Sequence, residues 1–127
     1  METLNLEATK YTPEITLDSK GVMEMRGKSY PENTFDFYAP VMQWLKDYFA
    51  GSPADESVFN MEIIYFNSSS SKLFYDLFDM LEEETENGRK ITVNWEYDPE
   101  NENALEAGED FQEDFETLTF NLIEKVG

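Results

Sequence analysis

Between Val58 and Leu81 the chain changes its hydrophobic period once, and that change constrains the fold more than any other feature. Val58, Phe59, Ile63, Ile64, Tyr65 and Phe66 form an apolar, β-rich run that breaks at Asn67. Four serines follow, Ser68 to Ser71. Apolar residues then return at helical spacing, with Leu73, Leu77 and Leu81 in one line and Phe74 and Phe78 beside it. The pattern predicts a strand, a hydroxyl-rich turn and a helix. The first N–H groups of a helix lack intrahelical acceptors, so Asn67 or one of the serines caps it. One cap needs one such residue, and five stand here.

On either side, strands and helices alternate. Leu4–Ala8 reads as a short edge strand. Glu14–Asp18 and Val22–Arg26 both alternate around a Ser19-Lys20-Gly21 turn, as a hairpin does. Gly27 to Asn33 reads as a loop in which Pro31 holds Tyr30 extended. Asn33 or Thr34 can cap a helix carrying Phe37, Val41, Leu45 and Tyr48 on one face. Pro40 breaks that pattern, so either the helix starts near Ala39 or Phe35–Tyr38 is a separate turn. Asn87-Gly88 ends the second helix. Lys90–Tyr97 is a strand, Asn103–Phe115 an acidic amphipathic helix, and Leu118–Val126 a closing strand. The order β-β-β-α-β-α-β-α-β predicts an α/β (α+β) fold, a mixed sheet with about three crossover helices packed mainly on one face. Residues 1–127 show no internal repeat or linker and are read as one domain.

Composition decides what such a fold can do. Hydrophobic residues at 40% with 15% aromatics place the chain among folded proteins despite its charge. There is no Cys and no His, which removes thiolate chemistry, the commonest general base and the commonest transition-metal ligands. Asp98 to Glu102 alternates oxygen ligands like a calcium loop, but position six is Asn103 rather than Gly. With 28 carboxylates no pair stands out as an acid/base couple. No catalytic residue, metal or cofactor is therefore assigned. The net charge of −19 opposes nucleic acid and anionic membranes as partners. No apolar run reaches membrane-spanning length and the N-terminus lacks a secretory pattern, which predicts a cytoplasmic protein. Glu96–Glu116 holds ten carboxylates and no Lys or Arg. It is a solvated face or, as an alternative function, an acidic decoy for a basic partner surface.

The serine run is either a capped helix start with a flexible polar turn or, as a functional reading, a site of phosphorylation. A phosphate at a helix N-terminus is held by free N–H groups and the helix dipole, and adds about −1.5 to −2 charges. Lys72 is a nearby cation.

Three segments stand out in order: Gly27-Lys28-Ser29-Tyr30-Pro31-Glu32-Asn33, then Tyr65-Phe66-Asn67-Ser68-Ser69-Ser70-Ser71-Lys72, then Trp95-Glu96-Tyr97-Asp98-Pro99-Glu100-Asn101-Glu102. Gly108-Glu109-Asp110-Phe111-Gln112-Glu113-Asp114 is a weaker fourth. Together they resemble the SiaC family of bacterial regulatory phosphoproteins over roughly residues 10–126. The resemblance implies a fold like the anti-sigma-factor antagonist (STAS) domains and a non-enzymatic partner switch. In that family a kinase phosphorylates the hydroxyl residue directly after the Asn of this turn and a phosphatase restores it. The unmodified protein engages a signalling target such as a diguanylate cyclase. Carried onto this chain the acceptor is Ser68, with Ser69 and Ser70 as alternates because the run continues and Ser replaces the usual Thr. The expected partner-binding residues surround it: Tyr30, Glu32, Asn33, Asn67, Ser69, Ser70 and Lys72.

Overall fold

Alternation along the strands decides which face of the sheet is covered. The computed structural model describes residues 1–126. Its six strands are β1 (Leu4–Leu6), β2 (Glu14–Leu17), β3 (Val22–Ser29), β4 (Glu56–Phe66), β5 (Lys90–Tyr97) and β6 (Thr119–Glu124). They lie side by side in sequence order. β1, β2 and β3 pair antiparallel, whereas β3 through β6 pair parallel. Parallel neighbours need crossovers, supplied by α1 (Thr34–Ala50), α2 (Ser68–Glu86) and α3 (Glu102–Asp114). Right-handed crossovers that always step toward the same sheet edge put every helix on one face. The mixed sheet with three crossover helices is the fold class that the order of elements predicts.

On the covered face Ile15, Leu17, Met23, Met25, Phe59, Met61, Ile63, Ile91, Val93, Trp95 and Phe120 meet the helices. The helices answer with Tyr38, Val41, Leu45 and Tyr48 from α1, Leu73, Phe74, Leu77, Phe78 and Leu81 from α2, and Phe111 from α3. Trp95 sits at the centre, with the rings of Phe66, Phe74, Phe111 and Phe120 around it. Its indole N–H donates to the Ala104 carbonyl at 2.9 Å, so its polar atom is satisfied.

The uncovered face is polar. Asn60, Asn94 and Asn121 stand in register on three parallel strands and pass side-chain hydrogen bonds across, at 3.0 and 3.1 Å. Arg26 forks onto Glu96 with two bonds of 3.1 Å and also reaches Glu62 and Glu24. These bonds, above all the one to Glu96, raise the pKa of a guanidinium that is always charged.

Two local expectations give way. α1 runs unbroken from Thr34 through Pro40. The bond Pro40 cannot make would end on the Asp36 carbonyl, and both residues lie on the exposed side of the helix, where solvent can replace it. The buried stripe of Tyr38, Val41, Leu45 and Tyr48 holds the helix together on the other side. β3 continues past Arg26 to Ser29, through residues that read locally as a loop. Its parallel pairing with β4 carries it on, and Gly27 supplies the φ of +130° that the path requires.

Candidate functional site

Because β3, β4 and β5 are parallel, their carboxyl ends and the N-termini of all three helices share one edge of the sheet. Each helix there is capped by an asparagine: Asn33 accepts from the Asp36 N–H at 3.2 Å, Asn67 from Ser70 at 2.9 Å and Asn101 from Ala104 at 3.1 Å. The caps fall 34 residues apart, at 33, 67 and 101. Pro-Glu precedes the first and the third. That spacing stood in the sequence, but the flanking residues differ enough that it does not read as a repeat.

At the second cap the five polar residues divide their roles. Asn67 is the cap, so its side-chain oxygen is occupied, and its carbonyl accepts from the Ser71 N–H at 2.9 Å. Ser68 and Ser69 are the first two helical residues, and both are exposed. Their N–H groups have no protein acceptor among the described residues. Ser70 is turned inward, 0% exposed. Its hydroxyl bonds that of Ser29 at 2.8 Å, and Ser29 in turn bonds the Tyr38 hydroxyl at 2.5 Å. Burial pushes the Tyr38 phenol up to about 12, with the Ser29 hydrogen bond pulling slightly the other way. The Asn67 N–H donates to the Ser29 carbonyl at 3.1 Å, so Ser29 grips the turn at two points.

A β-bulge prepares the surface beside the turn. Gly27 pairs with Ile63, but Lys28 pairs with Tyr65, so Ile64 is an extra residue in β4. In a regular strand Tyr65 would face inward with Ile63. The extra residue puts Ile64 and Tyr65 both outside, 52% and 54% exposed, and returns Phe66 to the core. The Ile64 carbonyl is taken by the Asn101 side chain at 3.0 Å, which ties the bulge to the start of α3. Tyr65 meets Tyr30 edge-on at 5.4 Å, and Tyr30 meets Tyr11 at 5.3 Å. Half of Tyr11 remains exposed. A cleft of about 370 Å³ lies between Tyr11, Tyr30 and Glu32, and one of about 270 Å³ lies beside Ile64, Tyr65, Asn101 and Asn103. Phe35, also exposed, sits 5.9 Å below the Lys72 ammonium, which joins the first turns of α1 and α2.

The structure therefore brings Tyr30, Glu32, Asn33, Asn67, Ser68, Ser69 and Lys72 to one edge. Ser70 differs: as acceptor or partner contact it is unreachable while its hydroxyl lies in the core. The register of β3 against β4 causes this by placing Ser29 beneath it. Ser29, Tyr38, Tyr11, Ile64, Tyr65 and Asn101 went unnoticed in the sequence as site residues. The signal for the bulge was Ile63-Ile64-Tyr65-Phe66, an apolar run without alternation. The Glu96–Glu116 stretch does not form one face. Glu96 holds Arg26 on the open sheet, while Asp98 caps a turn by accepting from Glu100 N–H at 2.8 Å. Asp114 accepts from the Tyr75 hydroxyl at 2.8 Å, and that bond foremost pushes the Tyr75 phenol up to about 12. Among the described residues, no helix is long and apolar enough to cross a membrane.

Comparison with known proteins agrees on one family. The model of the SiaC family of regulatory phosphoproteins matches residues 6–125. An uncharacterised protein of Pseudomonas aeruginosa is 35% identical over 115 residues, covering 90% of each chain. The solved structure of SiaC from Pseudomonas aeruginosa superposes with a TM-score of 0.86 at 30% identity, over the whole of both chains. A chain of the crystal structure of the diguanylate cyclase SiaD in complex with its activator SiaC, also from Pseudomonas aeruginosa, gives a TM-score of 0.89. It is 33% identical and covers 96% of this chain and 99% of its own.

Proposed function

Because this chain belongs to the SiaC family of regulatory phosphoproteins, we propose that it is a non-enzymatic partner switch controlled by phosphate on Ser68. The observation that carries the proposal is the division of the serine run: Ser68 stands exposed at the first residue of α2 while Ser70 is buried. A partner kinase adds the phosphate and a phosphatase removes it. The target is a diguanylate cyclase, the kind of protein that SiaC accompanies in the complex with SiaD. The unmodified form binds it through Ile64, Tyr65, Tyr30 and the first turn of α2.

Phosphate on Ser68 meets the free N–H groups of Ser68 and Ser69 and the positive end of the helix, with Lys72 one turn on. The fold tolerates it. A partner covering the same surface does not, because a dianion enclosed with a single lysine beside it still loses several kcal/mol of hydration. At about 1.4 kcal/mol per tenfold, the target's affinity falls on the order of 100-fold or more.

The test begins with protein recovered from its native host, its phosphorylated residue mapped by mass spectrometry. Phosphate is expected on Ser68 and absent from a Ser68→Ala variant. Ser68→Glu is expected to weaken binding to a purified diguanylate cyclase target at least tenfold while the melting temperature moves by less than about 2 °C, as exposed substitutions do. A Ser68→Ala chain that carries phosphate at undiminished occupancy refutes the assignment.

A further inference from the structure

We propose that Ser29 is the positioning residue that decides which hydroxyls of the serine run are offered for modification, an inference that rests on the acceptor reading of this turn. Ser29 is the last residue of β3 and is 0% exposed. It holds the turn by two different groups. Its carbonyl accepts from the Asn67 N–H at 3.1 Å, just before Ser68, and its hydroxyl shares a hydrogen bond of 2.8 Å with that of Ser70, just after Ser69. The Ser29 hydroxyl is itself fixed by Tyr38 of α1. The two grips flank Ser68 and Ser69.

The consequence is chemical. A hydroxyl accepts a phosphoryl group only if its oxygen can lie in line with the leaving oxygen of the donor. With Ser70 tied down, one face of the first turn points into the core and the other, carrying Ser68 and Ser69, points out. Cutting the Ser29 hydroxyl frees Ser70 to rotate and the turn to fray. Freeing it also strands two buried hydroxyls, those of Tyr38 and Ser70, which favours opening. The bond between strand and helix is thus a filter: it withdraws the Ser70 hydroxyl from the run and leaves Ser68 and Ser69 exposed, with Ser71 half-buried.

The filter separates from mere stability by comparison with Tyr48→Phe. Tyr48 bonds the buried Ser57 hydroxyl at 2.8 Å and accepts from the Ala54 N–H at 3.0 Å, at the other end of α1. Its loss destabilises the fold without touching the turn. Amide hydrogen exchange and phosphosite mapping on protein from the native host are read for the wild type, Ser29→Ala and Tyr48→Phe. In Ser29→Ala the Asn67, Ser70 and Ser71 amides are expected to exchange at least tenfold faster than the change in global stability explains, and phosphate is expected on Ser70. In Tyr48→Phe neither is expected. Ser70→Ala, which leaves the Ser29–Tyr38 bond intact, is the milder variant if Ser29→Ala does not fold. It is expected to loosen the same amides. Equal exchange in Ser29→Ala and Tyr48→Phe, or phosphate that stays off Ser70 in Ser29→Ala, overturns the proposal. A wild type without phosphate on any serine from 68 to 71 overturns the acceptor reading instead, and the exchange data still decide whether Ser29 clamps the turn.

Discussion

Replacing Gly108 by alanine sets two effects of known sign against each other. Gly108 lies in the middle of α3, where glycine is about 1 kcal/mol worse than alanine, so propensity alone favours the substitution. Packing opposes it. A Cβ at Gly108 would stand 2.6 Å from Trp95 Cδ1, 2.9 Å from Trp95 Nε1 and 2.7 Å from Leu122 Cδ2. Leu122 is only half buried and can rotate. Trp95 cannot, because it is 0% exposed, hydrogen-bonded to Ala104 and ringed by Phe66, Phe74, Phe111 and Phe120. The helix must lift instead, and overpacking of this kind costs about 1–3 kcal/mol, with the Trp95 contacts pointing to the upper half of that range. After the propensity gain, Gly108→Ala is expected to lose roughly 1–2 kcal/mol, which for a chain this long lowers the melting temperature by about 3–8 °C. Thermal unfolding followed by circular dichroism reads it directly. An unchanged or higher melting temperature refutes the claim that Trp95 is immovable.

Two further outcomes follow from buried and half-buried polar groups. Tyr38, with its phenol pushed up to about 12 by burial against about 10 in an unfolded chain, holds its proton more tightly when folded. Its contribution is complete below pH 10 and is lost as the pH rises toward 12, about 3 kcal/mol at most. Urea unfolding at pH 8 and pH 11 is expected to show a smaller alkaline loss in Tyr38→Phe than in the wild type, and equal losses refute the assignment. Arg26→Met leaves Glu24, Glu62 and Glu96 facing one another on the open sheet with Lys125 on Glu62 as the remaining cation of that group. A loss of about 1 kcal/mol at pH 7 is expected, given that the group is partly exposed. It should shrink at high salt, which screens the carboxylates from one another, and a loss independent of ionic strength would mean that the Arg26 stem rather than its charge matters.

What the sequence made legible is what depends on near neighbours. The change of period at Asn67 told strand from helix, and the alternation of Lys90–Tyr97 gave β5 with the bounds that the structure shows. Local patterns misjudged Pro40, because the rule that proline breaks helices says nothing of the buried stripe that outweighs one missing bond. They ended β3 too early for the same reason: residues Gly27 to Ser29 have no strand character of their own and extend because β4 lies beside them. The division of the serine run was out of reach altogether. Whether Ser70 faces core or solvent depends on Ser29, far away in the chain, and on an extra residue in β4 that sets the register between them. The capped turn was legible from its cap chemistry, while the residues that shape it were not.

The net charge bears on how the proposed switch works. A phosphate contributes about −1.5 to −2 charges to a chain that already carries −19, so the field felt by an approaching partner barely changes. Exposed charges more than about 8–10 Å apart are in any case screened at physiological salt. Control through long-range repulsion would therefore be weak, and the effect of phosphate has to be local. A local effect requires that the surface around Ser68 be stripped of water in the complex, which an acidic, fully hydrated face resists. The bulge supplies an apolar surface at this edge: Ile64 and Tyr65 are held outward, continued by Tyr30 and Tyr11. One residue more in β4 thus does two things at once. It returns Phe66 to the core so that Asn67 can start α2 over Ser29, and it exposes the apolar surface on which the proposed phosphate at Ser68 would act.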